Sequence, residues 1–103
     1  MKIIYSKNNT AIRVTEERLR HIYSGHPEME GMEQEIIGTL ENPDIIFAGD
    51  QGEKLACKIF DKTPVTFNKY LVAVYRDNSN DGFLITAYYS RKLSDRRLII
   101  WKN

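Results

Sequence analysis

Residues 83–92 read FLITAYYSRK. β-Branched and aromatic residues dominate it, which favours a β-strand whose successive side chains point to opposite faces. One predicted face is mostly apolar and consists of Phe83, Ile85, Ala87 and Tyr89. The other combines hydroxyl groups and a cation at two-residue spacing and consists of Leu84, Thr86, Tyr88, Ser90 and Lys92. Such a face is suited to holding an anion, and a half-solvated strand without that role has the same pattern.

The length and composition predict one domain over residues 1–103. A chain of 103 residues with 42% apolar residues can bury a single core without disulfide support. Cys57 is the only cysteine, which excludes an intrachain disulfide and a zinc site built from several cysteines. The N-terminal sequence MKIIYSKNN resembles neither a signal peptide nor a membrane span. We therefore expect a cytoplasmic protein without a membrane partner, and a toxin domain cut from a longer secreted protein would have the same pattern.

The charges are unevenly distributed along the chain. Residues 1–50 hold five Lys/Arg and nine Asp/Glu, whereas residues 51–103 hold ten and five. The region 91–102 is the most basic and contains Arg91, Lys92, Arg96, Arg97 and Lys102. Cations beside aromatic residues suit a polyanion with bases that can stack. A basic edge strand that resists pairing with other sheets accounts for the same pattern.

Two helices are predicted in the first half of the chain. Thr15 followed by Glu16 and Glu17 is a typical helix start, and Gly25 is expected to end this first helix. Pro27 is expected to open a second helix, since proline is favoured at the first helical position. Apolar residues recur at helical spacing up to the stop at residues 42–43, and they are Met29, Met32, Ile36, Ile37 and Leu40.

The pattern changes from helix to strand after residue 44. Four strands are predicted near residues 45–48, 54–61, 69–76 and 83–90, with the third in the centre of the sheet. Shorter strands are expected at 98–101 and as a hairpin of 1–5 with 11–14. The predicted fold class is α+β, with two N-terminal helices packed on an antiparallel sheet of about four strands.

The residues that remain for chemistry suit metal-free cleavage of a phosphodiester. The sequence contains no glycine-rich phosphate loop, no nucleophile elbow and no Cys/His pair at metal-ligand spacing, so we predict neither a cofactor nor a metal site. His26 stands at a helix joint where its ring need not be buried, whereas His21 is expected to pack inside the first helix. An imidazole can move protons near neutral pH, and Arg or Lys can hold the phosphate oxygens.

RNA fits this set of residues better than DNA does. The 2′-OH of RNA is a nucleophile already held beside the phosphorus, so the substrate itself supplies proximity. The residues therefore favour an RNA substrate over other phosphodiesters.

Several segments between Thr15 and Lys92 resemble the phage-type nuclease branch of the superfamily that joins barnase, EndoU, the tRNA-cutting colicins and the RelE-like toxins. The segments are TEERLRHI at 15–22, HPEM at 26–29, IIGTLENPD at 36–44, LVAVY at 71–75 and TAYYSRK at 86–92. The resemblance implies helices packed on an antiparallel sheet and metal-independent ribonuclease activity. It also implies catalytic roles for His26, Thr86, Tyr88 and Lys92, with Arg91 as a substitute for Lys92. An arginine is common before the histidine in that family, and Gly25 stands there in this chain.

The sequence thus predicts a toxin-like or phage-type endoribonuclease that leaves a 2′,3′-cyclic phosphate and binds substrate through Arg91, Arg96 and Arg97. The expected partners are RNA, with tRNA as one candidate, and a protein inhibitor or antitoxin. Two alternatives stay open. The domain can bind RNA without cleaving it, or it can be a protein-interaction module that uses Tyr88, Tyr89 and Trp101 as contact residues.

Overall fold

Two α-helices pack against one seven-stranded sheet in the computed structural model, which describes residues 1–61, 63–64, 69–78 and 81–103. The strand order is β1-β2-β6-β5-β4-β3-β7. The elements in chain order are β1 (Lys2–Tyr5), β2 (Ala11–Val14), α1 (Glu16–Gly25), a 3₁₀ helix (Pro27–Met29), α2 (Glu33–Glu41), β3 (Ile45–Ala48), β4 (Lys54–Ile59), β5 (Tyr70–Asn78), β6 (Asp81–Ser90) and β7 (Ile99–Lys102).

The first helix begins and ends where the sequence predicts. Thr15 lies just before α1 with extended backbone, and its Oγ1 accepts a hydrogen bond from the Arg18 N–H at 3.1 Å. This bond satisfies one of the backbone donors that a helix start leaves unpaired. Leu19 and Ile22 form the buried stripe of the helix. None of the helices in the described part of the chain is long and apolar enough to cross a membrane.

The second helix differs from the prediction. The expected continuous helix from Pro27 is instead a three-residue 3₁₀ helix followed, after a break, by α2 at Glu33–Glu41. Gly31 lies in the break with a φ of 81°, a left-handed conformation that residues other than glycine rarely adopt. Met29 and Ile36 stand at helical spacing in the sequence, but they belong to two separate elements. Both elements bury their apolar residues in one core.

The α+β class is confirmed, but the sheet has seven strands rather than about four, and it is mixed rather than antiparallel. β2 runs parallel to β6, with Ile12 opposite Gly82 and Arg13 opposite Phe83. A Cβ atom at residue 82 would collide with the Ala11 carbonyl oxygen, so glycine allows the two strands to approach. The strands beyond four are the N-terminal hairpin of β1 with β2 and the strand β7, which the sequence predicted as shorter strands near 1–5, 11–14 and 98–101, and they extend the two edges of the sheet. The N-terminal hairpin also places two strands before the helices.

A β-bulge in β6 changes the predicted faces of the strand. Val74 pairs with Thr86 and Tyr75 pairs with Leu84, so Ile85 is an extra residue without a direct partner in β5. The alternation therefore shifts at this point. Leu84 points to the same side as Ala87 rather than to the side of Thr86, and the prediction that Leu84 and Thr86 share a face is wrong.

The two sides of the sheet are buried to different extents. The helix face is the side that packs on α1 and α2, and its buried sheet residues include Ile46, Ala56, Leu71, Ala73, Tyr75, Leu84, Ala87 and Tyr89. The second face is the opposite side, and its smaller apolar cluster consists of Ile45, Phe47, Leu55, Cys57 and Val72, with Val74, Tyr88 and Leu93 packed against it. β5 lies in the middle of the strand order, as predicted, and contributes to both.

An ion pair on the helix face ties the N-terminal hairpin to the centre of the sheet. The Lys54 Nζ lies 2.6 Å from both carboxylate oxygens of Asp77, and the Asn8 side chain donates to Asp77 at 3.0 Å. Burial alone would raise the pKa of Asp77, but the hydrogen bonds and the Lys54 charge outweigh burial and hold this pKa below its ordinary value.

We predict that Asp77→Asn removes a pH-dependent part of the stability. Because the Asp77 pKa in the folded protein lies below the unfolded value of about 3.9, this stabilisation is present above about pH 4 and is lost as the pH falls through the folded-state pKa. The free energy of unfolding should fall by roughly 1–3 kcal/mol at neutral pH. Urea unfolding at several pH values between acidic and neutral measures this free energy. Wild-type and variant curves should converge at the acidic end.

Glu30→Gln is the control, since Glu30 is an exposed acid. Equal and pH-independent losses in Asp77→Asn and Glu30→Gln would contradict a role for the Lys54–Asp77 pair.

Candidate functional site

The structure brings the rings of His26 and Tyr88 together, although 61 residues separate them in the chain. Their ring centroids are 5.6 Å apart and the planes are tilted by 32°. The His26 side chain is 41% exposed, and its Nδ1 lies 3.8 Å from the Glu28 carboxylate. An accessible imidazole, a phenol and a nearby carboxylate thus meet at one point of the surface.

The edge of β6 explains how a residue between two helices reaches a strand residue. β2 pairs with β6 only at Gly82 and Phe83, so in the described part of the chain no strand covers this edge further along. α1 takes that place, and the Arg18 Nη1 donates to the Ile85 carbonyl oxygen at 3.3 Å. The joint between α1 and the 3₁₀ helix then carries His26 to the end of β6, beside Tyr88.

Tyr88 also lines a cavity of about 300 Å³ on the second face. The floor is apolar and comes from strands β3, β4 and β5, which contribute Phe47, Leu55, Cys57 and Val72. The wall is mostly polar and comes from the end of β6 and the loop that follows, with Ser90, Lys92, Leu93, Ser94, Asp95 and Arg97. The Ser90 hydroxyl donates to the Lys92 carbonyl oxygen at 2.8 Å and so shapes the start of this loop.

The electrostatics of the cavity favour a protonated phenol next to a fixed cation. Burial raises the pKa of Tyr88, while the Arg97 charge opposes this rise, which places the guanidinium within electrostatic reach of the phenol. The Arg97 Nη1 also donates to Asp50 at 3.1 Å and to the Ala48 carbonyl oxygen at 3.4 Å. Arg97 is therefore held in place, and Asp50 offsets part of its charge.

The remaining predicted site residues lie near the cavity or outside it. Thr86 is half-buried on the second face, two residues before Tyr88 in β6. β6 ends at Ser90, so Lys92 belongs to the loop rather than to the strand. Arg91 and Arg96 are exposed, and the Arg96 backbone N–H bonds to the Ser94 hydroxyl at 3.2 Å.

Two sequence expectations about neighbouring residues are wrong. His21 does not pack inside the core: it is exposed on α1, whose buried residues are Leu19 and Ile22. Tyr89 is not available as a contact residue, because it is buried on the helix face with its hydroxyl 3.3 Å from the Met32 sulfur. The alternation of β6 places neighbouring tyrosines on opposite sides of the sheet.

Trp101 does not share a surface with Tyr88 either. It lies opposite Ile46 in β7, packs against the core of the helix face and has the Lys7 ammonium 5.1 Å from its ring centroid. The aromatic residues that the sequence placed beside one basic run are therefore divided between two faces.

Sequence reasoning missed the apolar floor of the cavity and the role of α1 at the strand edge. Cys57 and Phe47 give no local sign of lining a site, because an apolar strand residue has the same pattern on either face. Among residues 1–61, 63–64, 69–78 and 81–103, no group of three or more His, Cys, Asp and Glu side chains is arranged to hold a metal ion.

Comparisons with family models, with curated proteins and with solved structures found no match to this chain.

We predict that the Cys57 thiol is unreactive in the folded protein although it lines the cavity. Burial raises the pKa of Cys57 to about 12, so very little of the nucleophilic thiolate exists at neutral pH. Labelling by iodoacetamide at pH 7.5, followed by mass spectrometry, should be at least roughly a hundredfold slower than for a free cysteine. The control is the same protein in urea, where labelling should be fast. Fast labelling of the folded protein would mean that the floor of the cavity is open to solvent.

Proposed function

We propose that this protein is a metal-independent endoribonuclease, and the observation that carries the proposal is the apposition of His26 and Tyr88 beside a cavity with cationic walls. The ring centroids of the two residues are 5.6 Å apart. Lys92 and Arg97 line the adjoining cavity. Together these side chains form the set that transfer of a phosphoryl group needs, namely two groups that move protons and cations that hold the phosphate. The sequence resemblance to the phage-type nucleases supports the same activity.

Each residue has a proposed role in cleavage. His26 is exposed enough to meet the 2′-OH of RNA and acts as the general base. Tyr88 carries its proton at neutral pH, as any phenol does, and burial raises its pKa further, so it acts as the donor. Lys92 and Arg97 hold the phosphate oxygens, and Thr86, on the same face of β6, bonds to the substrate backbone. Arg91 and Arg96 bind neighbouring phosphates, with Arg91 as a substitute for Lys92.

The proposed step conserves protons and bonds. His26 takes the proton of the 2′-OH, and the 2′ oxygen attacks the phosphorus to form a P–O2′ bond. The P–O5′ bond breaks, and the leaving 5′ oxygen takes the proton of the Tyr88 phenol. The proton on His26 then passes to the deprotonated Tyr88. The proximity of the two rings favours this transfer. The products are a 2′,3′-cyclic phosphate and a free 5′-OH.

A different observation favours a protein partner as a second function. Leu98, Ile99 and Ile100 are 74%, 49% and 45% exposed in and beside β7, which is an edge strand of the sheet. An exposed apolar edge strand is a template for pairing with another chain. The edge fits a protein inhibitor or antitoxin as the partner of a nuclease. It also fits a different role, in which this protein is an interaction module without nuclease activity. Turnover on RNA separates the two functions.

We predict that His26→Asn abolishes most cleavage without unfolding the protein. Asn is at least as good as His at a helix start, so the melting temperature should stay close to that of the wild type. Loss of the general base should slow cleavage of a labelled RNA by about 10²- to 10⁴-fold. Tyr88→Phe removes only the hydroxyl. Loss of this proton donor should slow cleavage by a similar factor. Gel analysis of cleavage and thermal melting are measured on the same samples.

Tyr5→Phe is the matched control for Tyr88→Phe, since Tyr5 is 56% exposed on the outer strand β1. A His26→Asn protein with wild-type turnover would exclude His26 from the reaction. Equal losses in the Tyr5 and Tyr88 variants would exclude the phenol.

We predict that cleavage continues in the presence of EDTA and yields 2′,3′-cyclic phosphate ends. The reason is that RNA supplies its own nucleophile and the proposed acid and base are protein side chains. Mass spectrometry of the products identifies the ends. Loss of activity in EDTA that is restored by a divalent ion would contradict this mechanism, and so would 2′-deoxy substrates cleaved as fast as RNA.

A further inference from the structure

A second surface with cationic side chains lies at the other end of the β6 edge. Two adjoining cavities, of about 680 and 370 Å³, share three lining residues: Arg13, Thr15 and Arg18. The larger cavity is completed by residues of α1, which are Glu17, Arg20 and His21. The smaller is completed by residues from the start of β6, which are Asp81, Phe83 and Leu84. We call the two cavities together the α1–β6 groove.

The guanidinium of Arg13 is fixed within this groove. Its Nη2 lies 2.6 Å and its Nε 2.9 Å from one carboxylate oxygen of Asp81. Its Cζ lies 5.8 Å from the centroid of the Phe83 ring. A guanidinium fixed on both sides loses little freedom on binding, and guanidinium planes and aromatic rings are both surfaces on which unpaired bases stack.

Other polar side chains of the groove are available to a ligand along α1. Arg20 and His21 are exposed, and Arg18 reaches the edge of β6 through its bond to the Ile85 carbonyl. Glu17 and Asp81 offset part of the positive charge, so the groove is arginine-rich without being strongly basic. This composition suits a ligand held by stacking as well as by charge.

One residue of the groove, Phe83, lies on the same face of β6 as the residues of the candidate active site. Phe83 pairs with Arg76, Thr86 with Val74 and Tyr88 with Val72. These pairs place Phe83, Thr86 and Tyr88 on the second face in a single row. The rise of an extended strand makes the distance along β6 from Phe83 to Tyr88 about 15 Å. This row along the second face is the path by which a strand of nucleic acid bound at Tyr88 would reach Phe83.

We propose that the α1–β6 groove binds single-stranded RNA on one side of the cleaved bond, an inference that rests on the proposed ribonuclease function. The guanidinium of Arg20 contacts a backbone phosphate, and Phe83 together with Arg13 supports an unpaired base. The groove selects single strands, since the bases of a duplex are stacked on each other and cannot stack on protein side chains. The cations after β6 hold the other side of the cleaved bond.

The test is RNA binding in the His26→Asn background, measured by fluorescence anisotropy of a short labelled RNA at several salt concentrations. Arg20→Gln should weaken binding and lower the slope of log K against log salt by about 0.7, the value for one phosphate contact on a single strand. Lys58→Gln is the charge-matched control, because Lys58 lies in β4 on the helix face, where it bonds to the Asn42 carbonyl oxygen. Lys58→Gln should leave both affinity and slope unchanged.

A second pair of variants tests stacking. Phe83→Leu keeps an apolar side chain at this position but removes the ring, and it should weaken single-strand binding by roughly 5- to 100-fold. Phe83→Tyr keeps the ring and should bind like Phe83. The same RNA annealed to its complement should bind more weakly than the single strand and should not respond to Phe83→Leu. Thermal melting verifies that each variant is folded.

The outcomes distinguish the groove from the nuclease. If the wild type cleaves RNA but Arg20→Gln and Phe83→Leu bind like their parent, the groove is overturned and the nuclease stands. If the groove variants lose binding as expected but the wild type does not cleave RNA, the groove stands and the nuclease is overturned. Equal affinity for single strand and duplex overturns the proposed selection.

Discussion

The β-bulge at Ile85 is the constraint on which the rest of the structure depends. Without the extra residue, Leu84 would share a face with Thr86 and would leave the core under α1. With it, Leu84 enters the helix-face core while Thr86 and Tyr88 point to the second face. One inserted residue thus lets the start of β6 bury an apolar side chain in the core. It also lets the end of the same strand present polar groups on the second face.

The short pairing between β2 and β6 has an equally large consequence. Because β2 leaves β6 after Phe83, most of one edge of this long strand is covered by a helix rather than by a strand. A helix presents side chains to a strand edge, whereas a further strand would present backbone groups. Arg18 and His26 occupy the edge for this reason, and the candidate active site and the α1–β6 groove are both built along it.

The charged residues of the site are partly neutralised by fixed partners. Arg13 is paired with Asp81, and Arg97 is paired with Asp50. These pairs lower the net charge of the surface and immobilise the guanidiniums. Exposed pairs of this kind contribute little stability, so their main effect is on geometry and on the ligand that the surface can select. A net charge of +1 is therefore compatible with a nucleic-acid enzyme that relies on stacking and on a few placed cations.

Local sequence determined the elements whose signals are short-range. Thr15 and the acids after it define the start of α1, since a cap acts within one helical turn. The apolar run of 45–48 defines β3 to the residue, since four consecutive apolar side chains fit a strand buried on both faces. The sequence also singled out His26, Thr86, Tyr88 and Lys92 as candidates, through their chemistry together with the resemblance to the phage-type nucleases.

Tertiary structure decided what those residues form. The parallel pairing of β2 with β6 joins segments about 70 residues apart, and no local pattern specifies it. The bulge at Ile85 follows from the register of β6 against β5. A sequence pattern with period two does not specify such an inserted residue. His26 lies beside Tyr88, and Arg13 lies beside Phe83, because long-range packing places both pairs along the edge of β6. Sequence determined which chemical groups were present, and long-range packing determined which of them act together.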